Sequence, residues 1–344
     1  AKIKTVLIKG VDEWGTRFAM LQAGDADTAI VPRSNISQVD PLVGERADFD
    51  IAANKFGDLK ATSTSNQPLR LWFGVPALTR TDVFFVEQVN IPAEGNMFTG
   101  SGALGNGVPA DFFNDVHIRK GFIYAMDWDT YIKDYFLGEA EMVPYVLSLP
   151  GELGFDPNAP KYTYDLKKAE EEFKAATINT CDPLKKAAED AAQALKNAQT
   201  EAAKIIPTPE TESVTPVPTA APVDIAALQK KAEDAKAKFE ACEPGNVWDT
   251  GFYLIGVYNS GNAARKAWLD ILSAGLQKVN PNFRMEVLAV PWAATLRYRN
   301  KSQMPLYNIG WQEDIHDPHN WYSPYLVGDY GSKAGFPEDV MKTW

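Results

Sequence analysis

The sequence predicts an α/β fold built on a mostly parallel sheet with helices outside it. Three observations carry this. First, apolar stretches of strand length at 251–258, 283–290 and 306–310 alternate with an amphipathic helical pattern at 263–279 and a short helical or turn-like stretch at 295–300. Strands joined through helices run parallel, because each crossover returns the chain to the same end of the sheet. Second, residues 3–31 read as a further strand–helix–strand unit. Third, 344 residues with 45% apolar and 23% charged side chains have the composition of a globular protein and the length of about two domains.

The elements follow in order. Residues 3–8 (IKTVLI) form an apolar-rich strand candidate. Trp14, Phe18 and Leu21 recur at spacings of four and three, which places a helix over 11–23 with Gly24 as its stop. "DADTAIV" at 25–31 reads as a short buried strand ending at Pro32, and "LRLWFGV" at 69–75 as another. Residues 92–110 are Gly-rich and aperiodic, hence loop. Asp115 is placed to cap a helix carrying Ile118, Phe122 and Ala125, and Asp127 to start one carrying Tyr131, Tyr135 and Phe136. After a Pro- and Gly-rich stretch at 144–163, Asp165 is the N-cap of an amphipathic helix within 164–176.

Residues 181–245 change character. Leu184, Ala188, Ala191, Leu195, Ala198, Ala202 and Ile205 recur at alternating spacings of four and three, a sustained heptad seam. Ile225, Leu228, Ala232, Ala235, Phe239 and Cys242 form a second. Between them the Pro/Thr-rich stretch 206–223 has no helix or strand pattern and is expected to be disordered. The pattern implies an antiparallel helical hairpin with Cys181 and Cys242 at its feet. A disulfide there would stabilise the fold by on the order of 4 kcal/mol in the chain-entropy picture. The competing reading is two unrelated buried thiols. A bridge would mean an oxidising compartment outside the cytoplasm.

Composition excludes several functions. The net charge of −11 argues against a nucleic-acid partner, which needs a basic face. Two cysteines and three histidines leave no room for a Cys-rich zinc module. No apolar run reaches the length of a membrane span. The chain opens without an initiator Met or a signal peptide, inside what reads as a strand, which points to a processed chain or a piece of a longer one.

Candidate chemistry is sparse. Gly100, Gly102 and Gly105 spell GxGxxG, but no strand precedes them and no helix follows, so they read as loop. Ser260 in "VYNSGN" lacks a nucleophile elbow and, with Asn259, reads as a turn or helix cap. "GWQEDIHDPHNW" is the densest polar cluster: Glu313, Asp314, His316, Asp317 and His319 lie between Trp311 and Trp321. Three readings compete. The cluster could hold a divalent metal, though its spacing fits no standard zinc motif. It could be a ligand loop at the C-terminal end of a strand, where open α/β sheets bind ligands, with carboxylates for a cationic group and tryptophans as apolar walls. Or it could be a surface loop with structural acids.

Several stretches, taken in order, resemble a known family. "LQAGDADTAIV", "ALTR…FFNDVHIRKGFIYAMDWDTYIKDYFLGEAEMVP", "YTYDLKKAEEEFKAA", "NSGNAARKAWLDILSAGLQKV…MEVLAVPWAATL" and "NIGWQEDIHDP" are similar to blocks of the extracellular solute-binding proteins of ABC importers, the oligopeptide/dipeptide-binding family. They cover nearly all of the chain outside 181–245. The resemblance implies a periplasmic-binding-protein-like type II fold, mostly its second lobe. Residues 1–65 would be the end of the first lobe and the outgoing crossover, 66–310 the second α/β lobe, 181–245 an inserted hairpin, and 311–344 the ligand loop and start of the return crossover.

The function implied is capture of a peptide or other small solute by closure of two lobes, and delivery to ABC permease transmembrane subunits. No enzymatic activity, cofactor, resident metal or nucleic acid is expected, and the protein would be an extracytoplasmic, membrane-anchored monomer. By resemblance Asp314 receives the ligand's ammonium, Trp311 lines the pocket and Arg33 lies where first-lobe residues approach the ligand; Glu313 and Asp317, the neighbouring carboxylates of the same cluster, are further ligand-side candidates. The alternatives are a metal-dependent hydrolase using the Glu313–His319 cluster, or a binder of a sugar or metal chelate.

Overall fold

The computed structural model describes residues 2–50, 52–75, 79–92, 94–144, 148–150, 152–178, 180–204, 224–328 and 330–331. Helix α1 (Trp14–Ala23) ends as its sequence dictates: Gly24 sits in the left-handed region at φ 79°, and its N–H closes on the carbonyl of Leu21. A small sheet follows. Strand β1 (Val43–Asp50) pairs antiparallel with β2 (Lys55–Phe56) and β3 (Lys60–Ala61), and parallel with β4 (Leu69–Phe73). The strand at 69–73 thus joins the sheet of residues 43–61.

The main sheet has the order β5–β8–β6–β7: β5 (Thr79–Phe85), β6 (Phe252–Asn259), β7 (Phe283–Val290) and β8 (Leu306–Gln312). Strands β7, β6 and β8 run parallel, and β5 joins the edge antiparallel, with Thr79 opposite Gln312. Side chains alternate across it, as pleating requires. Phe252, Leu254, Phe283, Met285 and Leu306 face helices α2 (Val116–Ala125), α3 (Leu166–Ala175) and α6 (Ala263–Val279), against Ile118, Phe122, Phe173, Leu269 and Leu272. Ile255, Val257, Tyr307 and Ile309 face the opposite layer with Val86, Phe98, Trp321 and Tyr325.

The expected caps are present. Asp115 accepts from the N–H groups of His117 and Ile118, Asp127 from Thr130, and Asp165 from Lys167 and Lys168. Helices α2 and α6 approach closely because residue 275 is glycine: a Cβ there would lie 1.9 Å from the Ala125 carbonyl oxygen.

The hairpin is formed by α4 (Asp182–Lys204) and α5 (Ile225–Glu240). Cys181 and Cys242 are disulfide-bonded with their Cα atoms 5.8 Å apart. Beside them the Thr180 hydroxyl donates to the Glu243 carbonyl at 3.0 Å and accepts from the Gly245 N–H at 2.8 Å. The seam positions Leu184, Ala188, Ala191, Leu195, Ala198, Ile225, Leu228, Ala232, Ala235, Phe239 and Cys242 are the shielded positions of the two helices, most only half-buried, while Ala202 is exposed. Two helices alone cannot cover both sides of a seam. Ile205 and the stretch 206–223 lie outside the described residues.

Two expectations are corrected. Residues 3–8 and 25–31 are not strands. Ile3, Val6, Leu7, Ile8 and Ile30 are each at least 74% exposed. Apolar β-branched residues favour extension, but a strand exists only with a paired neighbour, and none of the described strands lies alongside either segment. No helix among the described residues is long and apolar enough to cross a membrane.

Candidate ligand loop at the end of the central sheet

Strand β8 leaves the sheet at Gln312, and the polar segment after it turns back at Pro318 into the helical turn His319–Tyr322. Asn320 fixes this return: its Oδ1 accepts from the Trp311 indole N–H at 2.8 Å and from the Asp314 backbone N–H at 3.3 Å. Asp317 accepts from the His319 N–H at 2.8 Å, so its carboxylate closes the turn. Trp311 is half-buried, edge-on to Tyr330. Asp314 is exposed, and its carboxylate makes no ion pair among the described residues.

Glu313, next to it, points inward, with a side chain only 3% exposed. It meets Glu152, whose side chain is fully buried. The Trp321 indole N–H donates to an oxygen of each, at 3.1 Å in both cases, and the Leu149 N–H donates to Glu152. His316 covers the pair from the solvent side, its Nδ1 2.9 Å from Glu313 and 3.9 Å from Glu152. The hydrogen bond to Glu313 raises His316 above its ordinary value against partial desolvation, and the charges of Glu313 and Glu152 add to the effect. His319 takes no part; its ring stands against Tyr322.

A buried ion pair holds the layer beneath. Arg80 and Asp82 on β5 pair at 2.5–2.9 Å, and the Arg80 guanidinium lies over the rings of Trp321 and Tyr325. The Tyr325 hydroxyl donates to Asp82 at 2.7 Å. Burial, and then the charge of Asp82, push that hydroxyl well above its ordinary pKa, so it remains a donor.

On the other face of β8, Arg265 in the first turn of α6 is buried. Its Nη1 donates to Asn259 at 2.6 Å, its Nε has no partner among the described residues, and it makes no ion pair with them. Burial lowers its pKa, against the nearby Tyr330, Tyr325, Tyr131 and Asp82. Gly310 makes the room: a Cβ there would come within 2.8 Å of the guanidinium. Asn308, two residues earlier, is fully buried with both amide atoms unpartnered among the described residues. Sequence reasoning missed Glu152, Arg265 and Asn308. Their only signals are a Glu between glycines and two polar residues in apolar context, none of which singles out a site.

The remaining candidates lie elsewhere. Arg33 is engaged by Glu139 at 2.7 Å and lies over the Phe73 ring. Gly100, Gly102 and Gly105 all have positive φ, in a loop that packs on the start of β6 through the Gly105 N–H and the Gly251 carbonyl. Ser260 sits in the turn after β6, its N–H on the Val290 carbonyl.

Comparison with known proteins places this architecture. The chain is similar to NikZ from Campylobacter jejuni in complex with Ni(L-His), at 13% identity and a TM-score of 0.51, over 97% of this chain and 45% of that one. It is similar to the oligopeptide-binding protein AppA from Bacillus subtilis in complex with a nonapeptide, at 13% identity and a TM-score of 0.50, over 97% of this chain and 47% of that one. The chain therefore spans less than half the length of those proteins. At this identity the likeness speaks to the fold, the type II periplasmic-binding-protein fold. No curated protein is significantly similar in sequence. The family model for bacterial extracellular solute-binding proteins, family 5 Middle, matches residues 1–187, more than half of the chain. The chain belongs to the family 5 bacterial extracellular solute-binding proteins, a family of transport-associated binding proteins and not of enzymes.

Proposed function

We infer that the protein is the substrate-capture component of an ABC importer for a peptide or a similar small solute bearing an amino group. The observation that carries this is Asp314: an exposed carboxylate without an ion-pair partner among the described residues, on a loop held from behind by Asn320, at the C-terminal end of the central strand. Such a carboxylate can receive an ammonium by a charge-assisted hydrogen bond, strengthened once water is excluded. Trp311 supplies an apolar wall beside it. Arg265, buried without a carboxylate partner, is the complementary group for a ligand carboxylate. Glu313, Asp317 and Arg33 are engaged by protein partners, so we assign them to holding the loop and its surroundings. The hydrolase alternative is set aside with the family assignment, and His319 stands apart from the cluster it required.

In this reading two lobes close on the solute, which stabilises the closed state by its greater affinity for it. The closed protein then delivers the solute to the permease outside the cytoplasm. The resemblance implies a membrane anchor and a monomeric state, and the hairpin at 181–245 is an insertion into the family pattern. The test is calorimetry on the full-length protein with a peptide that binds it. Asp314→Asn is expected to weaken binding at least about tenfold, the scale of a lost charge-assisted bond. Acetylating the peptide's amino terminus should have the same effect on the unsubstituted protein and little further effect on the variant. Undiminished affinity in Asp314→Asn would remove the ammonium role.

A further inference from the structure

Two buried carboxylates side by side need a counter-charge. Glu152 and Glu313 are almost entirely withdrawn from solvent, and no Lys or Arg pairs with either among the described residues. Their direct donors are the Leu149 N–H and the shared indole N–H of Trp321. Such burial is costly unless the charges are paired or coordinate a metal. Among the described residues, the basic group that faces both is the His316 ring, itself half exposed.

The spacing fits a shared ion. One oxygen of each carboxylate and one nitrogen of His316 all lie within 4.8 Å of one another. His316 Nδ1 is 2.9 Å from Glu313 Oε2 and 3.9 Å from Glu152 Oε1. Donors at about 2.0–2.2 Å from one metal ion stand roughly 3–4 Å from each other. Trp321, fully buried, hydrogen-bonds to both carboxylates and so orients them, as an outer-shell partner does. The exposed side of His316 gives an entry path and leaves open positions to water.

We propose that Glu152, Glu313 and His316 form a binding site for a divalent transition-metal ion of the zinc class. The donor set is two carboxylate oxygens and one imidazole nitrogen. The imidazole favours Zn²⁺ and its neighbours over Mg²⁺ and Ca²⁺, which prefer oxygen alone. The ion would replace the hydrogen bond between His316 and Glu313 and tie the segment after β8 to Glu152. The site does not depend on the ligand assigned to Asp314.

The experiment is equilibrium dialysis of the metal-stripped full chain against zinc in millimolar magnesium, with thermal unfolding measured in parallel. One zinc per chain and a raised unfolding midpoint are expected. His316→Ala, at an exposed side chain and so tolerated by the fold, should weaken zinc binding at least about tenfold and abolish the zinc-dependent shift. Glu152→Gln should do the same where it folds. His117→Ala and His319→Ala should leave both readouts unchanged. A chain that takes up no zinc, or that binds it equally well after His316→Ala, overturns the proposal.

Discussion

Asp115 does two jobs with one carboxylate. Its Oδ1 accepts from the His117 N–H at 2.7 Å at the start of α2, and its Oδ2 accepts from the Thr177 N–H at 2.7 Å and hydroxyl at 2.8 Å, just past α3. Burial pushes this carboxyl up, but the bonds from Thr177, His117 and Ile118 outweigh it and the pKa is lowered. A lowered folded-state value means stability that is present above the ordinary carboxyl range and lost as pH falls through the folded value. Asp115→Ala should therefore cost about 1 kcal/mol at neutral pH, and the difference should shrink below the ordinary pKa of 3.8. Urea unfolding of both proteins at neutral pH and near pH 3 checks both claims; a cost independent of pH would mean that the charge is irrelevant. This cap was legible, because Asp followed by apolar residues at helical spacing is a local signal. Glu152 was not: its partners Glu313 and Trp321 lie far along the chain, and nothing within the surrounding "PGELG" marks it as buried.

At the scale of elements, legibility followed the same division. Helix α6 and strand β7 stand where the sequence puts them, since burial on one stripe or on alternate residues writes itself into the pattern. Strand β1, VGERADFD, did not announce itself, because four of its eight residues are charged and two of its partners are only two residues long. Segment 3–8 misled for the converse reason: strong β propensity with no strand alongside it among the described residues. The contact of α2 with α6 through Gly275 yields a sharp prediction. Gly275→Ala places a methyl against the Ala125 backbone, which cannot rotate away, and should destabilise the protein by about 1–3 kcal/mol; an unchanged denaturation midpoint would contradict the close approach. The disulfide, at a sequence separation of 61, yields another. Reduction should accelerate amide exchange in α4 and α5, while β6 and β7 stay protected. Equal acceleration in all four would mean that the hairpin and the sheet unfold as one unit.

At the scale of the molecule, neither hydrophobic core takes a residue from α4 or α5 among the described residues. The hairpin is attached through feet only 5.8 Å apart, a gap that a short turn can span. Replacing residues 182–241 by a Gly-containing turn should leave the thermal midpoint and the near-UV signal of the remaining aromatics little changed. A collapse of that signal would show that the hairpin holds the sheet. The edge pair of the main sheet has a different consequence. Strand β5 enters antiparallel, so Thr79 lies opposite Gln312, two residues before Asp314. If two lobes close as proposed, this pair of strand ends would serve as a fulcrum. A rotation of the small sheet about it would sweep distant residues through wide arcs and shift Asp314, two residues past Gln312, hardly at all. On the proposed reading, a ligand anchored at Asp314 would keep its grip on one residue throughout such a movement, while everything farther from the axis would be free to find it.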